Sequence, residues 1–121
     1  MKSFEELQAW QISRKMVNQV YGITKQGLLA RDFGLCAQLQ RASVSIMSNI
    51  AEGFERMHVQ EKIQFYNTSR ASCGEVRSLL YVLEDNYQFL TDQTAGIKEL
   101  AGQTGRLLTG LIHATQNRKK R

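Results

Sequence analysis

The sequence contains no proline, only two cysteines, and no apolar segment of membrane-spanning length. Its residues are 42% hydrophobic and 22% charged, and this composition excludes both a disordered and a collagen-like chain. At 121 residues, the chain is also too short for a two-domain enzyme with an interdomain cleft. A folded, mostly regular domain remains, with a hydrophobic core of its own or a shared one.

Several chemical signals are missing as well. Cys36 and Cys73 fall within apolar helical patterns, which favours core thiols of a reducing compartment over a disulfide. The first residues lack the apolar run of a signal peptide, so we expect a cytoplasmic protein without membrane contact. No Walker loop, dinucleotide-binding glycine pattern or metal-ligand spacing occurs, and we expect no cofactor and no metal.

The net charge is concentrated at the C-terminus. The formal charge is +5, and Arg118, Lys119, Lys120 and Arg121 supply four of these charges, so residues 1–117 carry only +1. A basic tail of this kind attracts phosphate backbones or an acidic partner, or it simply keeps a helix end solvated.

The hydrophobic periodicity predicts helices over about residues 3–26, 33–54, 59–90 and 92–117, followed by the tail 118–121. Ser3 with Glu6 forms a capping box for the first helix, Gly27 is a left-handed stop, and Asp32 caps the second helix. Four amphipathic helices with short connections and no strand signal predict an all-α, antiparallel up-down-up-down four-helix bundle.

The first helix carries two separate apolar seams instead of one. The first seam consists of Leu7, Trp10, Val17, Tyr21 and Thr24, and the second of Ala9, Ile12, Met16, Val20 and Ile23. Two seams indicate a helix covered on two sides, either deep in its own bundle or partly by another copy of the chain. We therefore take Leu7, Trp10, Val17 and Tyr21 as candidate oligomer-interface residues.

Polar and small residues mark the second and third helices. On the second helix, a polar strip recurs at helical spacing: Arg41, Ser45, Asn49, Glu52 and Arg56. It predicts either a structural polar network that braces helices or subunits, or a strip that faces RNA. On the third helix, a small-residue waist, where a neighbouring backbone can approach closely, comprises Ser69, Ala71, Ser72, Cys73 and Gly74.

The fourth helix has an unusual polar face. Gly102, Gly105 and Gly110 share it with Lys98, Arg106, Thr109 and His113. Exposed glycines within a helix cost about 1 kcal/mol each relative to alanine. Three of them indicate that either another subunit's helix or a phosphate backbone comes close, which makes Lys98, Arg106 and His113 candidate nucleic-acid contacts together with the tail.

Arg106 and His113 also resemble the Arg-x4–6-His ribonuclease motif of helical toxins. A histidine there would exchange a proton with an RNA 2′-hydroxyl while the arginine stabilises the phosphorane charge. Leu107 follows the arginine where that motif has a polar residue, and such a spacing arises easily by chance. We expect no catalysis and keep the toxin as a third alternative.

The second helix carries the most specific motif, residues 33–53, FGLCAQLQRASVSIMSNIAEG. It resembles the four-helix-bundle proteins encoded in 23S rRNA intervening sequences. Phe4, Leu7 and Trp10, with Val20, Tyr21 and Thr24, fit that family's opening, and Glu61, Phe65, Ser72, Glu75 and Leu79 fit its third helix. Two prolines usual in the family are missing, one near Leu28 and one where Met47 stands.

The resemblance implies a bacterial up-down-up-down bundle that assembles as a ring-shaped homopentamer without known catalysis. The chain is also similar to the accessory proteins of diversity-generating retroelements, pentameric barrels that bind a reverse transcriptase and nucleic acid. We therefore expect a homo-oligomeric scaffold associated with RNA or DNA through its basic surface and tail. The alternative is a protein-protein interaction adaptor, with a reverse transcriptase or another protein as partner and no nucleic acid.

Overall fold

Four long helices and three short 3-10 helices make up the computed structural model, which describes residues 1–119. The long helices are α1 (Gln8–Ile23), α2 (Phe33–Glu55), α3 (Val59–Asn86) and α4 (Thr91–Lys119). Successive helices pack against each other, and α1 also packs against α4, which closes an antiparallel bundle. No strand occurs in the described part of the chain, so the predicted all-α four-helix bundle is confirmed.

The helix ends lie a few residues from the sequence-based boundaries. At the N-terminus, the Ser3 amide donates to the Glu6 carboxylate at 3.1 Å, but the turn that follows is a 3-10 helix, Phe4–Glu6. Leu7 is extended, with ψ of 125°, and α1 begins after it. The third helix ends at Asn86 because Tyr87 leaves helical geometry, with φ of −134° and ψ of 65°.

The two connections at one end of the bundle are fastened to each other. The Asp32 carboxylate caps α2 by accepting from the Leu35 amide at 3.2 Å, and it also accepts from the Tyr87 hydroxyl at 2.8 Å. Gly27 has φ of +55°, and a Cβ there would lie 2.8 Å from the Phe89 ring. Glycine is therefore needed at position 27 for both backbone conformation and space.

The packing of α2 against α3 depends on small and hydroxyl-bearing residues. The buried Ser69 hydroxyl donates to the Ile46 carbonyl at 2.7 Å, and the Ser45 and Ser72 hydroxyls share a hydrogen bond of 3.1 Å. At the end of the same interface, the Tyr66 ring covers Gly53, where a Cβ would lie 2.7 Å from Tyr66 Cε1. The two helices therefore approach closely along the C-terminal half of α2.

Both cysteines are free thiols in the interior, as the apolar patterns predicted. Burial raises the pKa of the Cys73 thiol to about 12 and also raises that of Cys36. Neither thiol is therefore an activated nucleophile. None of the helices within the described residues is long and apolar enough to cross a membrane.

Candidate nucleic-acid interface

An open groove of about 740 Å³ runs between α3 and α4. We call it the α3–α4 groove. Its floor is made of residues with small side chains, namely Ala71, Gly74, Ala101, Gly102 and Gly105, and its cationic rim consists of Arg70, Arg77, Lys98 and Arg106. Part of the small-residue waist of α3 thus faces the glycines of α4.

The floor lies close to both helix backbones because neither helix places bulky side chains there. A Cβ built on Gly105 would lie 3.9 Å from Cys73 Cβ, and one built on Gly74 would meet nothing within 4 Å. Cys73 is only 3% exposed and separates the groove from the core. A ligand in the groove can therefore come near the backbone of both helices.

Two of the four rim cations are already paired. Lys98 forms an ion pair with Glu84 and lies over the Tyr81 ring, 4.2 Å from its centroid. Arg106 lies 3.6 Å from Glu99, but both side chains are at least 70% exposed, so this pair is weak and exchanges readily with solvent.

The other two rim cations, Arg70 and Arg77, form no ion pair with any side chain of the described residues. Glu99 is the single acidic residue that lines the groove, against four cations. The groove is therefore positively charged and attracts anions.

Sequence reasoning missed Arg70 and Arg77. It assigned the basic surface to α4 and the tail, whereas half of the rim belongs to α3. The available signal was their separation of seven residues, two helical turns, with the exposed Gly74 between them. That spacing places both guanidinium groups on the same side of α3.

The predicted nucleic-acid contacts do not lie in one place. Lys98 and Arg106 line the α3–α4 groove, whereas His113 is exposed about 10 Å further along α4 and does not line it. Arg118 lines a separate cavity at the other end of the bundle. Lys120, Arg121 and the side chain of Lys119 lie outside the described residues.

The His113 ring of the Arg106–His113 pair has no orienting side chain in the described structure. Both residues are exposed, and no described side chain donates to or accepts from the His113 ring. A general acid-base histidine is normally oriented by a second hydrogen-bonding group. Nor do any three His, Cys, Asp or Glu residues within the described chain form a group able to hold a metal ion.

The predicted polar network on α2 forms only in part. The Asn49 amide donates to the Ser45 carbonyl at 2.8 Å and to its hydroxyl at 3.0 Å, and Ser45 continues to Ser72 on α3. Arg56 instead pairs with Glu61 at 3.8 Å. The structure does not bring Arg41 and Glu52 into the network, because both side chains are exposed on the outer surface of α2.

The predicted interface residues differ in how far the chain itself covers them. Leu7 is 7% exposed and packs in the chain's own core, so it is not available to a second copy. Trp10 is half-buried and packs edge to face on Phe4, with ring centroids 5.2 Å apart. Val17 is nearly covered at 9%, whereas Tyr21 is 39% exposed.

Tyr21 has an apolar neighbour across the α1–α2 boundary. The Gln40 amide donates to the Thr24 hydroxyl at 3.0 Å, which fixes the register of this antiparallel pair. One turn further along the bundle, Tyr21 on α1 and Val44 on α2 therefore lie at the same level, each 39% exposed. This part of the α1–α2 surface is therefore apolar and exposed.

Fold and groove together define a small antiparallel four-helix bundle with a positively charged interhelical groove. The sequence pattern of the family described as 23S rRNA-intervening sequence protein matches residues 5–110, and the chain belongs to this family. The resemblance of the second-helix motif is thereby confirmed.

A solved structure supports the same fold. The chain is similar, with a TM-score of 0.77 and 18% identity, to a protein of unknown function from the S23 ribosomal protein family of Bacteroides thetaiotaomicron. The match covers 87% of this chain and 95% of that one. Comparison with curated proteins finds no match.

Proposed function

We propose that this protein is a non-catalytic, homo-oligomeric scaffold that binds RNA along the α3–α4 groove. The observation that carries the proposal is the placement of Arg70, Arg77 and Arg106 around a floor of glycine and alanine. Guanidinium groups bind phosphate oxygens in a bidentate manner, and a small-residue floor lets a phosphate backbone come close.

The groove favours a sequence-tolerant, electrostatic mode of binding. Its rim supplies cations, while Asn67 and Thr109 add neutral hydrogen-bonding groups. Tyr81 lines the groove as well; Lys98 lies over one face of its ring, and the residue is still 53% exposed beside the arginines that we assign to phosphate binding. The binding of single strands by such grooves depends strongly on salt.

Self-association supports this role because each copy in the assembly adds one groove and one basic tail. The exposed Tyr21 and Val44 patch, with Val17 beside it on α1, is the surface that we assign to the contact between copies. The resemblance to ring-shaped family members suggests five copies. Multiplying a weak site in one assembly raises the avidity for a continuous RNA strand.

The RNA-binding part is tested by fluorescence anisotropy with a labelled single-stranded RNA at several salt concentrations. We compare the wild type with the double variant Arg70→Gln/Arg77→Gln. The matched control is Lys15→Gln/Lys25→Gln, which removes the same charge from exposed positions outside the groove. We expect the groove variant to bind at least about tenfold more weakly, with the slope of log K against log salt reduced by about 0.7 per lost phosphate contact.

Equal losses in the two double variants would show that only net charge matters and would overturn the groove as the site. Deletion of residues 118–121 should weaken binding further, because these residues hold most of the net charge. An absence of RNA binding by the wild type at low salt would contradict the RNA-binding proposal itself.

Oligomerisation is tested by light scattering. The wild type should give about five times 13.8 kDa. Tyr21→Glu should give a smaller assembly that remains helical, because Tyr21 is exposed in the single chain and an unpaired charge in a buried contact costs several kcal/mol. Gln11→Glu, at an exposed polar position of α1, is the control. A monomeric wild type would contradict this part.

A second candidate function, a protein-binding adaptor, is favoured by one observation. At the bundle end where the α1–α2 and α3–α4 connections lie, Leu28, Phe33 and Phe89 are 67%, 78% and 60% exposed. Such apolar exposure is typical of protein contacts. The double variant Phe33→Ser/Phe89→Ser should leave RNA binding unchanged but abolish the copurification of a protein partner such as a reverse transcriptase, if the adaptor role holds.

A further inference from the structure

A second cavity, of about 400 Å³, lies at the opposite end of the bundle from Asp32 and Tyr87. Its apolar wall includes Leu7, Phe54 and Leu111, and its polar groups are Lys62, Tyr66 and Arg118. The volume falls within the usual range for small-molecule sites, and an apolar wall with a few polar groups is typical of them. No acidic side chain lines it.

Tyr66 is the best-buried polar side chain of this cavity. The residue is 2% exposed, and its ring is held against the backbone of Gly53. Its hydroxyl makes no hydrogen bond with the described residues, and Tyr66 is one of the three polar residues that line the cavity.

Two cations, Lys62 and Arg118, line the same cavity as Tyr66. Lys62 Nζ donates to the carbonyl of Phe54 at 2.6 Å and to that of Gly53 at 3.4 Å, which holds the ammonium group at the C-terminus of α2. An ammonium group has three donors, so one remains for a ligand. Burial lowers the pKa of Lys62. The positive charge of Arg118 lowers it further, because two like charges near each other disfavour the charged form of Lys62.

We propose that this cavity binds a small anionic amphiphile. The apolar body of the ligand packs against Leu7, Phe54 and Leu111, and its carboxylate or phosphate head accepts hydrogen bonds from Lys62, Tyr66 and Arg118. An anion there offsets the repulsion between the two cations and accepts a hydrogen bond from the phenol. The apolar wall excludes a purely inorganic anion as the best ligand, because that anion would leave the wall in contact with water.

The site is separate from the α3–α4 groove, since the two share no lining residue. The proposal therefore does not rest on RNA binding. It does give Arg118 a role within the bundle that differs from the role of the basic tail. A variant of Arg118 can accordingly affect ligand binding without altering the groove.

The test is isothermal titration of the full-length protein with octanoate, octyl phosphate and inorganic phosphate. We expect at least one amphiphile to bind at least about tenfold more tightly than inorganic phosphate, because only an amphiphile uses the apolar wall. The preferred amphiphile then identifies the head group. Failure of both amphiphiles to bind, or equal binding of inorganic phosphate, would overturn the proposal.

Substitutions test whether the amphiphile binds in this cavity. Tyr66→Phe keeps the ring on Gly53 and removes only the hydroxyl, and Arg118→Gln removes a charge at an exposed helix end, so both should fold. Each should weaken amphiphile binding by about tenfold, the usual effect of losing a hydrogen bond to a charged group. Arg106→Gln, a matched loss of charge in the α3–α4 groove, should leave the affinity unchanged. Equal weakening by Arg106→Gln, or none by Tyr66→Phe and Arg118→Gln, would contradict the assignment.

Discussion

The two sides of α3 use small residues for opposite purposes. Towards α2, Ser69 and Ser72 are buried and close the interface with hydrogen bonds to Ile46 and Ser45. Towards α4, Ala71 and Gly74 lie in the open floor of the α3–α4 groove. The small-residue waist therefore divides into a sealed half and an open half, and small residues alone do not indicate close helix packing.

Charge follows the same division. Around Ser45, Asn49 and Ser72, the sealed α2–α3 side carries neutral hydroxyl and amide groups whose hydrogen bonds are satisfied within the chain. The open side carries Arg70 and Arg77, which find no ion-pair partner among the described residues. The sealed side holds the bundle together, whereas the two arginines of the open side remain available to an anionic ligand.

The largest expected effect comes from adding volume on the sealed side. Gly53→Ala places a Cβ 2.7 Å from the Tyr66 ring and should reduce the free energy of unfolding by about 1–3 kcal/mol, as overpacking usually does. Gly74→Ala, on the open side, meets nothing within 4 Å and should increase stability by up to about 1 kcal/mol. Urea denaturation of both variants measures the difference. Equal changes of the same sign would remove the contrast between the two sides.

A larger side chain on the open side should affect binding but not folding. Gly74→Leu fills part of the α3–α4 groove and should weaken RNA binding by about tenfold, a change of about 1.4 kcal/mol, while the thermal midpoint stays at or above that of the wild type. Gly110→Leu, an open glycine of α4 outside the groove lining, is the control. Unchanged RNA binding by Gly74→Leu would show that the open floor is not used.

A smaller effect on stability is expected from Cys73, which separates the groove from the core. Burial raises the pKa of Cys73 from 9.0 to about 12, so the protonated thiol favours the folded state. Its contribution should be full below pH 9.0 and should be lost as the pH rises towards about 12. The difference in stability between wild type and Cys73→Ala should therefore shrink above pH 9.0, as followed by urea denaturation. A difference independent of pH would mean that the groove admits water to the thiol.

The smallest expected effect concerns RNA cleavage. Arg106→Ala and His113→Ala should leave any cleavage signal of a preparation unchanged, because both residues are exposed and no described side chain orients the His113 ring. A true acid-base pair would lose about 10²-fold or more when either member is removed. A parallel loss of that size in both variants, measured with a fluorogenic RNA, would identify Arg106 and His113 as a catalytic pair and contradict the non-catalytic scaffold.

Periodicity predicted most of the fold because each helix buries a regular apolar face. It also placed Lys98, Gly102 and Arg106 together, since positions on one helix are related by a fixed rotation. Arg70 and Arg77 were missed because their role depends on which side of α3 faces α4, and that is a tertiary relation. The same limit applies to Lys62 and Tyr66 near the start of α3 and Arg118 near the end of α4, which are far apart in sequence and meet only in the folded bundle.

Local signals were less informative where tertiary contacts decide the outcome. The Ser3 and Glu6 pattern indicated a helix start, yet Leu7 is extended and buried in the core, so α1 begins later. Arg41 and Glu52 have the right spacing for a network along α2, but both lie on the outer surface of the helix, away from any described partner. Spacing on one helix does not reveal which residues meet a neighbour.

Hydrogen-exchange mass spectrometry of the full-length protein with and without a short single-stranded RNA tests the central claim most directly. If RNA lies in the α3–α4 groove, amide exchange should slow in residues 67–81 and 95–109, which line it, while residues 8–23 of α1 should not change. Protection confined to residues 113–121, with the groove segments unchanged, would contradict the account and assign RNA binding to the C-terminal end alone.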